Sequence, residues 1–94
     1  MNNEREYTVD FSKVQRWQDI HKVIKQDLDF PAYYGENLDA LWDCLGDMFY
    51  TTVYVKGVHA VPQNADCQYM IEKVLEVFRE AQKEFSYLEI HFID

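Results

Sequence analysis

Short β-favouring stretches recur three times along this chain, and segments with helical periodicity separate them. Glu6-Tyr7-Thr8-Val9-Asp10-Phe11 alternates polar and β-favouring residues. Thr51-Thr52-Val53-Tyr54-Val55 is β-branched and aromatic, and Leu88, Ile90 and Phe92 alternate with Tyr87, Glu89 and His91. Between the first and second lie two helical patterns. One spans Trp17–Leu28, with Trp17, Ile20, Val23, Ile24 and Leu28 as its apolar stripe and Lys22 and Lys25 toward water. Pro31 closes that unit. The other begins at Asn37, a good N-cap, and ends near Gly46, which reads as the residue just past the helix. Between the second and third strands, Gly57–Cys67 reads as loop and Gln68–Glu84 as a long helix that buries Ile71, Val74, Leu75, Phe78 and Ala81. Strands separated by helices pair in parallel through right-handed crossovers. The expected fold is therefore α/β: a two-layer, three-stranded parallel sheet with its helices mainly on one face. A chain of 94 residues makes this one domain, 1–94.

The second helix carries an unusual charge pattern. Between Gln26 and Val55 there are six acidic residues and no Lys or Arg. Asp39, Asp43 and Asp47 recur every four residues, with Glu36 three before Asp39, while Leu38, Leu41, Trp42 and Leu45 fall on the other side. Like charges at that spacing each cost a helix roughly 0.2–0.5 kcal/mol. Stability alone would place a Lys or Arg among them, so the bare acid face points to a cationic partner. The bland alternative is a solvated helix face.

Composition narrows the choice of partner. A net charge of −8 with 48% hydrophobic and 16% aromatic residues describes a folded acidic protein. A pI near 4.7 disfavours nucleic acid and anionic membranes and favours basic proteins. No apolar run reaches the ~18–20 residues of a membrane span. The opening Met1-Asn2-Asn3-Glu4-Arg5-Glu6 does not resemble a signal peptide, so a cytoplasmic location is expected. Cys44 and Cys67 are then expected as thiols. His21, His59 and His91 are widely separated, which leaves no ligand set for a metal, and no cofactor is expected.

The block Tyr33-Tyr34-Gly35-Glu36-Asn37-Leu38-Asp39-Ala40-Leu41-Trp42-Asp43-Cys44-Leu45 resembles the barstar family of intracellular ribonuclease inhibitors. Pro31, two residues before the tyrosine pair, fits the same pattern, as does Val74-Leu75-Glu76-Val77-Phe78-Arg79-Glu80-Ala81 in the last helix. The resemblance implies a protein that plugs a basic, barnase-like ribonuclease with its second helix and the loop before it. It further implies a 1:1 complex and a free monomer. By position, Asp43 resembles the aspartate that enters the phosphate pocket, and Asp39 the carboxylate facing the guanine-recognition loop and an arginine there. Glu80 resembles the glutamate that engages that arginine from the side, and Tyr33 the tyrosine packed on the catalytic histidine. Gly35, Asn37, Leu38 and Trp42 match positions that shape this surface, and Gly46 stands at its rim. Tyr33 is expected exposed and Tyr34 packed. Two stretches depart from the pattern. Relatives commonly place Thr, Gly and a second Trp where this chain has Gly46-Asp47-Met48. Gly57–Cys67 has Pro62 in place of the short helix expected there.

Two other classes compete. In an enzyme, Asp39 and Asp43 would act as a carboxylate pair, but they sit on a convex helix without a nucleophile, Gly-rich loop or metal ligands nearby. An acidic interaction module or nucleic-acid mimic would instead bind other basic proteins.

Overall fold

A computed structural model of the chain describes residues 5–93. Met1–Glu4 and Asp94, which the single-domain reading also spans, lie outside the described residues. The elements run β1 (Arg5–Asp10), α1 (Asp19–Asp27), α2 (Leu38–Gly46), β2 (Thr51–Lys56), α3 (Ala65–Glu84) and β3 (Leu88–Phe92). All three strands are parallel in the order β1-β2-β3. When neighbours in sequence are neighbours in a parallel sheet, right-handed crossovers bring every helix to the same face. The α/β fold expected from the sequence is the fold found.

Burial alternates along most of β1 and β3 but not along β2, where Thr52 is buried with its neighbours, and Phe92 at the end of β3 is 43% exposed. Val9 of β1, Thr51, Val53 and Val55 of β2, and Leu88 and Ile90 of β3 are buried. They meet Ile20 and Ile24 of α1, Leu41 and Leu45 of α2, and Val74 and Phe78 of α3. On the opposite face Thr8, Tyr54 and His91 share one register row, where the Tyr54 and His91 rings stack at 5.4 Å. Contacts of α1 with β1, of α2 with α3 and of α3 with β3 complete the two layers.

Three boundaries differ from the sequence reading. Asp19 opens α1 two residues later than expected, because its carboxylate accepts from the Gln15 and Arg16 N–H groups at 3.0 and 3.2 Å and holds the preceding turn. Trp17 therefore leaves the apolar stripe and is 43% exposed. The last helix starts at Ala65, three residues earlier than expected, because the Asn64 side chain accepts from the Cys67 N–H at 2.9 Å. Within Gly57–Cys67, Val58–Ala60 forms a 3-10 turn where the sequence suggested only loop. Gly57 leads into it at φ +78°, and a β-carbon there would lie 2.5 Å from both the Asp10 carboxylate and the Ser12 nitrogen.

Candidate inhibitory surface

The loop Asp29–Asn37 and helix α2 form one ordered unit. Leu28 ends α1, and the chain reverses through Asp29 at φ +55°. Tyr34 then drops into the core at 5% exposure, whereas Tyr33 stands out at 86%. The Tyr34 hydroxyl shares a 2.7 Å hydrogen bond with Nδ1 of buried His21, on α1. Burial lowers the pKa of His21, opposed in part by the Glu36 carboxylate. Burial also raises that of the Tyr34 phenol, so the pair is neutral near pH 7. It pins the loop to α1 without a buried charge.

Asn37 joins loop to helix. From extended backbone at φ −144° its Oδ1 accepts from the Ala40 N–H at 2.8 Å, while its Nδ2 donates to the Gly35 carbonyl at 3.2 Å. The left-handed residue beside it is Glu36, at φ +53°, not Gly35. Gly35 matters for space: a β-carbon there would lie 3.0 Å from Asn37 Nδ2. Beyond the cap, Leu41 and Leu45 are fully buried, which fixes the rotation of α2 and turns Asp39 and Asp43 to solvent. Neither aspartate forms an ion pair with a described residue. Asp47 is not on the helix face as the four-residue spacing suggested; it is the C-cap, at φ −93°.

Gly46 also corrects its sequence reading. It is the last helical residue rather than the one beyond, and its φ is not left-handed. Its small size admits Phe85, whose ring would lie 3.1 Å from a β-carbon, and the Tyr87 hydroxyl donates to its carbonyl at 2.6 Å. Trp42, half-buried, packs on Phe85 at 4.9 Å, and Phe49 packs on Tyr87 at 4.6 Å. Trp42 thus supports the surface from within. Cys44 and Cys67 are both free thiols. Burial first, then the Asp47 and Asp43 carboxylates, push the Cys44 thiol up.

Two concavities flank the bare carboxylates. Leu38, Asp39, Trp42, Lys73, Glu76, Val77 and Glu80 line a shallow groove of about 430 Å³ between α2 and α3. It brings together Leu38, Asp39, Trp42 and Glu80, four residues singled out from the sequence. Glu80 also sits 3.7 Å from Lys83, an exposed contact worth little. Glu76 belongs to this groove but read in the sequence as ordinary wet helix face; only its place one turn before Glu80 hinted at it. On the other side of α2 a cleft of about 300 Å³ gathers Tyr33, Asp43 and Asp47. Among the described residues no cluster of His, Cys, Asp or Glu is arranged to hold a metal ion, and no helix is long and apolar enough to cross a membrane.

The parallel sheet and α3 thus hold α2 with its Asp39 and Asp43 carboxylates turned to solvent and without an ion pair among the described residues. The family model described as Barstar (barnase inhibitor) matches residues 4–93, and the chain belongs to that family. It is also 36% identical over 82 residues to a Bacillus subtilis (strain 168) protein named "Putative ribonuclease inhibitor YrdF", covering 87% of this chain and 90% of that one. The matches are to inhibitors, and the protein is not an enzyme.

Proposed function

We propose that this protein inhibits a basic, barnase-like ribonuclease in a 1:1 complex by seating α2 and its preceding loop in the enzyme's active site. The observation that carries the reading is the pair of unpaired carboxylates, Asp39 and Asp43, on a helix whose rotation the buried Leu41 and Leu45 fix. A ribonuclease site holds cations to stabilise phosphate charge, so a rigid carboxylate substitutes for the substrate's anion through charge-assisted hydrogen bonds. Asp43 takes that role, and Asp39 with Glu80 and Trp42 forms the groove that receives a neighbouring cation. Exposed Tyr33 offers its ring to an imidazole or guanidinium. The Asn37 cap and the Tyr34–His21 bond order this surface before the enzyme arrives, which lowers the entropy lost on docking.

The test begins by capturing secreted proteins of the source organism on the immobilised inhibitor and assaying the eluate for ribonuclease activity. Titrating that activity with purified protein should give a linear fall with a break at one equivalent. Captured proteins that lack ribonuclease activity, or an activity that excess inhibitor leaves unchanged, would sink the proposal and favour a general acidic module.

A further inference from the structure

The 300 Å³ cleft on the far side of α2 is separate from the α2–α3 groove. Exposed Asp29, Asp43 and Asp47 stand at its rim, and buried Leu28 and Met48 lie beneath. Its volume is at the lower end of small-molecule sites, about 300–1,000 Å³, and so suits one long side chain better than a nucleotide. The chain's own Arg5 lines the cleft, yet neither it nor any of the three aspartates forms an ion pair with a described residue. Asp29 shares a neighbouring concavity with Lys22 and Lys25. Within the cleft's own lining, however, one cation faces three carboxylates, and Asp43 and Asp47 are left with a deficit of positive charge. The aspartates are not gathered as metal ligands, so a compact divalent ion does not meet the need. A cation with an apolar stem does, because carboxylates at the rim and apolar side chains beneath match the two halves of such a group. Tyr33, 86% exposed, supplies an aromatic wall. A planar guanidinium stacks on such a ring and forks to carboxylates, whereas an ammonium is a hydrated point charge.

We infer that this cleft is a receptor for one arginine side chain of the partner, held between Asp47 and Asp29 beneath Tyr33, and that Asp47 is a specificity-determining residue. The inference rests on the inhibitor reading above and adds to it a second contact, on the opposite side of Asp43 from Glu80. It makes Asp47, which has no place in the family's acidic pattern, a selector among basic ribonucleases.

The probe is Nα-acetyl-L-arginine amide, titrated into the free protein and followed by amide NMR shifts, with the Nα-acetyl amides of L-citrulline and L-lysine as neutral and ammonium controls. The expected result is saturable shifts at Phe30, Cys44 and Met48, weaker with the lysine derivative and absent with the citrulline derivative. Asp47→Asn should weaken arginine binding about threefold or more, the worth of one partly exposed ion pair, and Asp39→Asn should leave it unchanged. The inference is overturned if those amides do not respond, if the citrulline or lysine derivative serves equally well, or if Asp39→Asn weakens binding as much as Asp47→Asn. Ribonuclease inhibition by Asp39→Asn and Asp43→Asn separates the two readings. Unimpaired inhibition by both removes the inhibitor mechanism whatever the cleft binds. Impaired inhibition with a silent cleft removes only the arginine receptor.

Discussion

Lowering the pH from 7.5 to 5.5 should loosen the loop that leads into α2, because His21 is buried neutral against Tyr34. The folded-state pKa lies below the ordinary 6.5, chiefly through burial. The unfolded chain therefore takes up a proton at a higher pH than the native state does. This contribution to stability is complete above about pH 6.5 and is lost as the pH falls toward the folded-state pKa. Whatever the size of the shift, the loss by pH 5.5 cannot exceed about 1.4 kcal/mol, the linkage limit for one group across one unit below its unfolded pKa. In a domain of this size that bounds the fall in Tm at about 10 °C. The assay is thermal or urea unfolding at half-unit pH steps, for wild type and His21→Gln. The difference in slope between the two curves isolates His21 from exposed His59 and His91. Equal slopes between pH 7.5 and 5.5, or a wild type that grows more stable on acidification relative to the variant, would refute the reasoning.

Other consequences follow from the same geometry. Gly57→Ala places a β-carbon 2.5 Å from the Asp10 carboxylate and the Ser12 nitrogen at φ +78°, so it should cost about 1–3 kcal/mol in urea unfolding. A loss below a few tenths would mean the turn relaxes freely. Asn37→Ala removes the bond to the Ala40 N–H and should cost about 1 kcal/mol of stability, with weaker inhibition as the loop frees itself. Raising ionic strength to about 0.5 M should slow association with the ribonuclease several-fold and leave dissociation almost unchanged, since exposed charge acts on encounter; stopped-flow mixing decides it.

Much of this fold was legible in the sequence because its signals are periodic. Alternation placed β1 and β3, β-branched and aromatic residues placed β2, and a clear N-cap at Asn37 placed the start of α2. The exposed Tyr33 and packed Tyr34 were anticipated, as was Trp42 as a support for the surface. The misses are tertiary. Gly46 read as a helix stop, yet its smallness serves Phe85, thirty-nine residues away in the chain, a relation no local pattern encodes. Gly35 likewise makes room for Asn37 while Glu36 bears the left-handed turn. Asn64 carried a readable cap signal that the nearby Pro62 obscured. Glu76 and the rings of Phe49, Phe85 and Tyr87 gain their meaning only when α3 and β3 fold back beside α2.

The most direct measurement is the inhibition constant of Asp43→Asn and Asp43→Ala against the captured ribonuclease, taken with the unfolding midpoint of each variant. Asp43 is exposed and unpaired in the free protein, and its loss relieves an i,i+4 repulsion with Asp39, so the midpoint should hold or rise slightly. Binding should weaken by about 3–5 kcal/mol, or about 10²- to 10⁴-fold, because the enzyme's cations are left desolvated without their counter-charge. Asn should be nearly as damaging as Ala, since it keeps the shape and loses the charge. Inhibition equal to wild type, or inhibition lost only in step with unfolding, would contradict the claim that the carboxylates of α2 plug the ribonuclease.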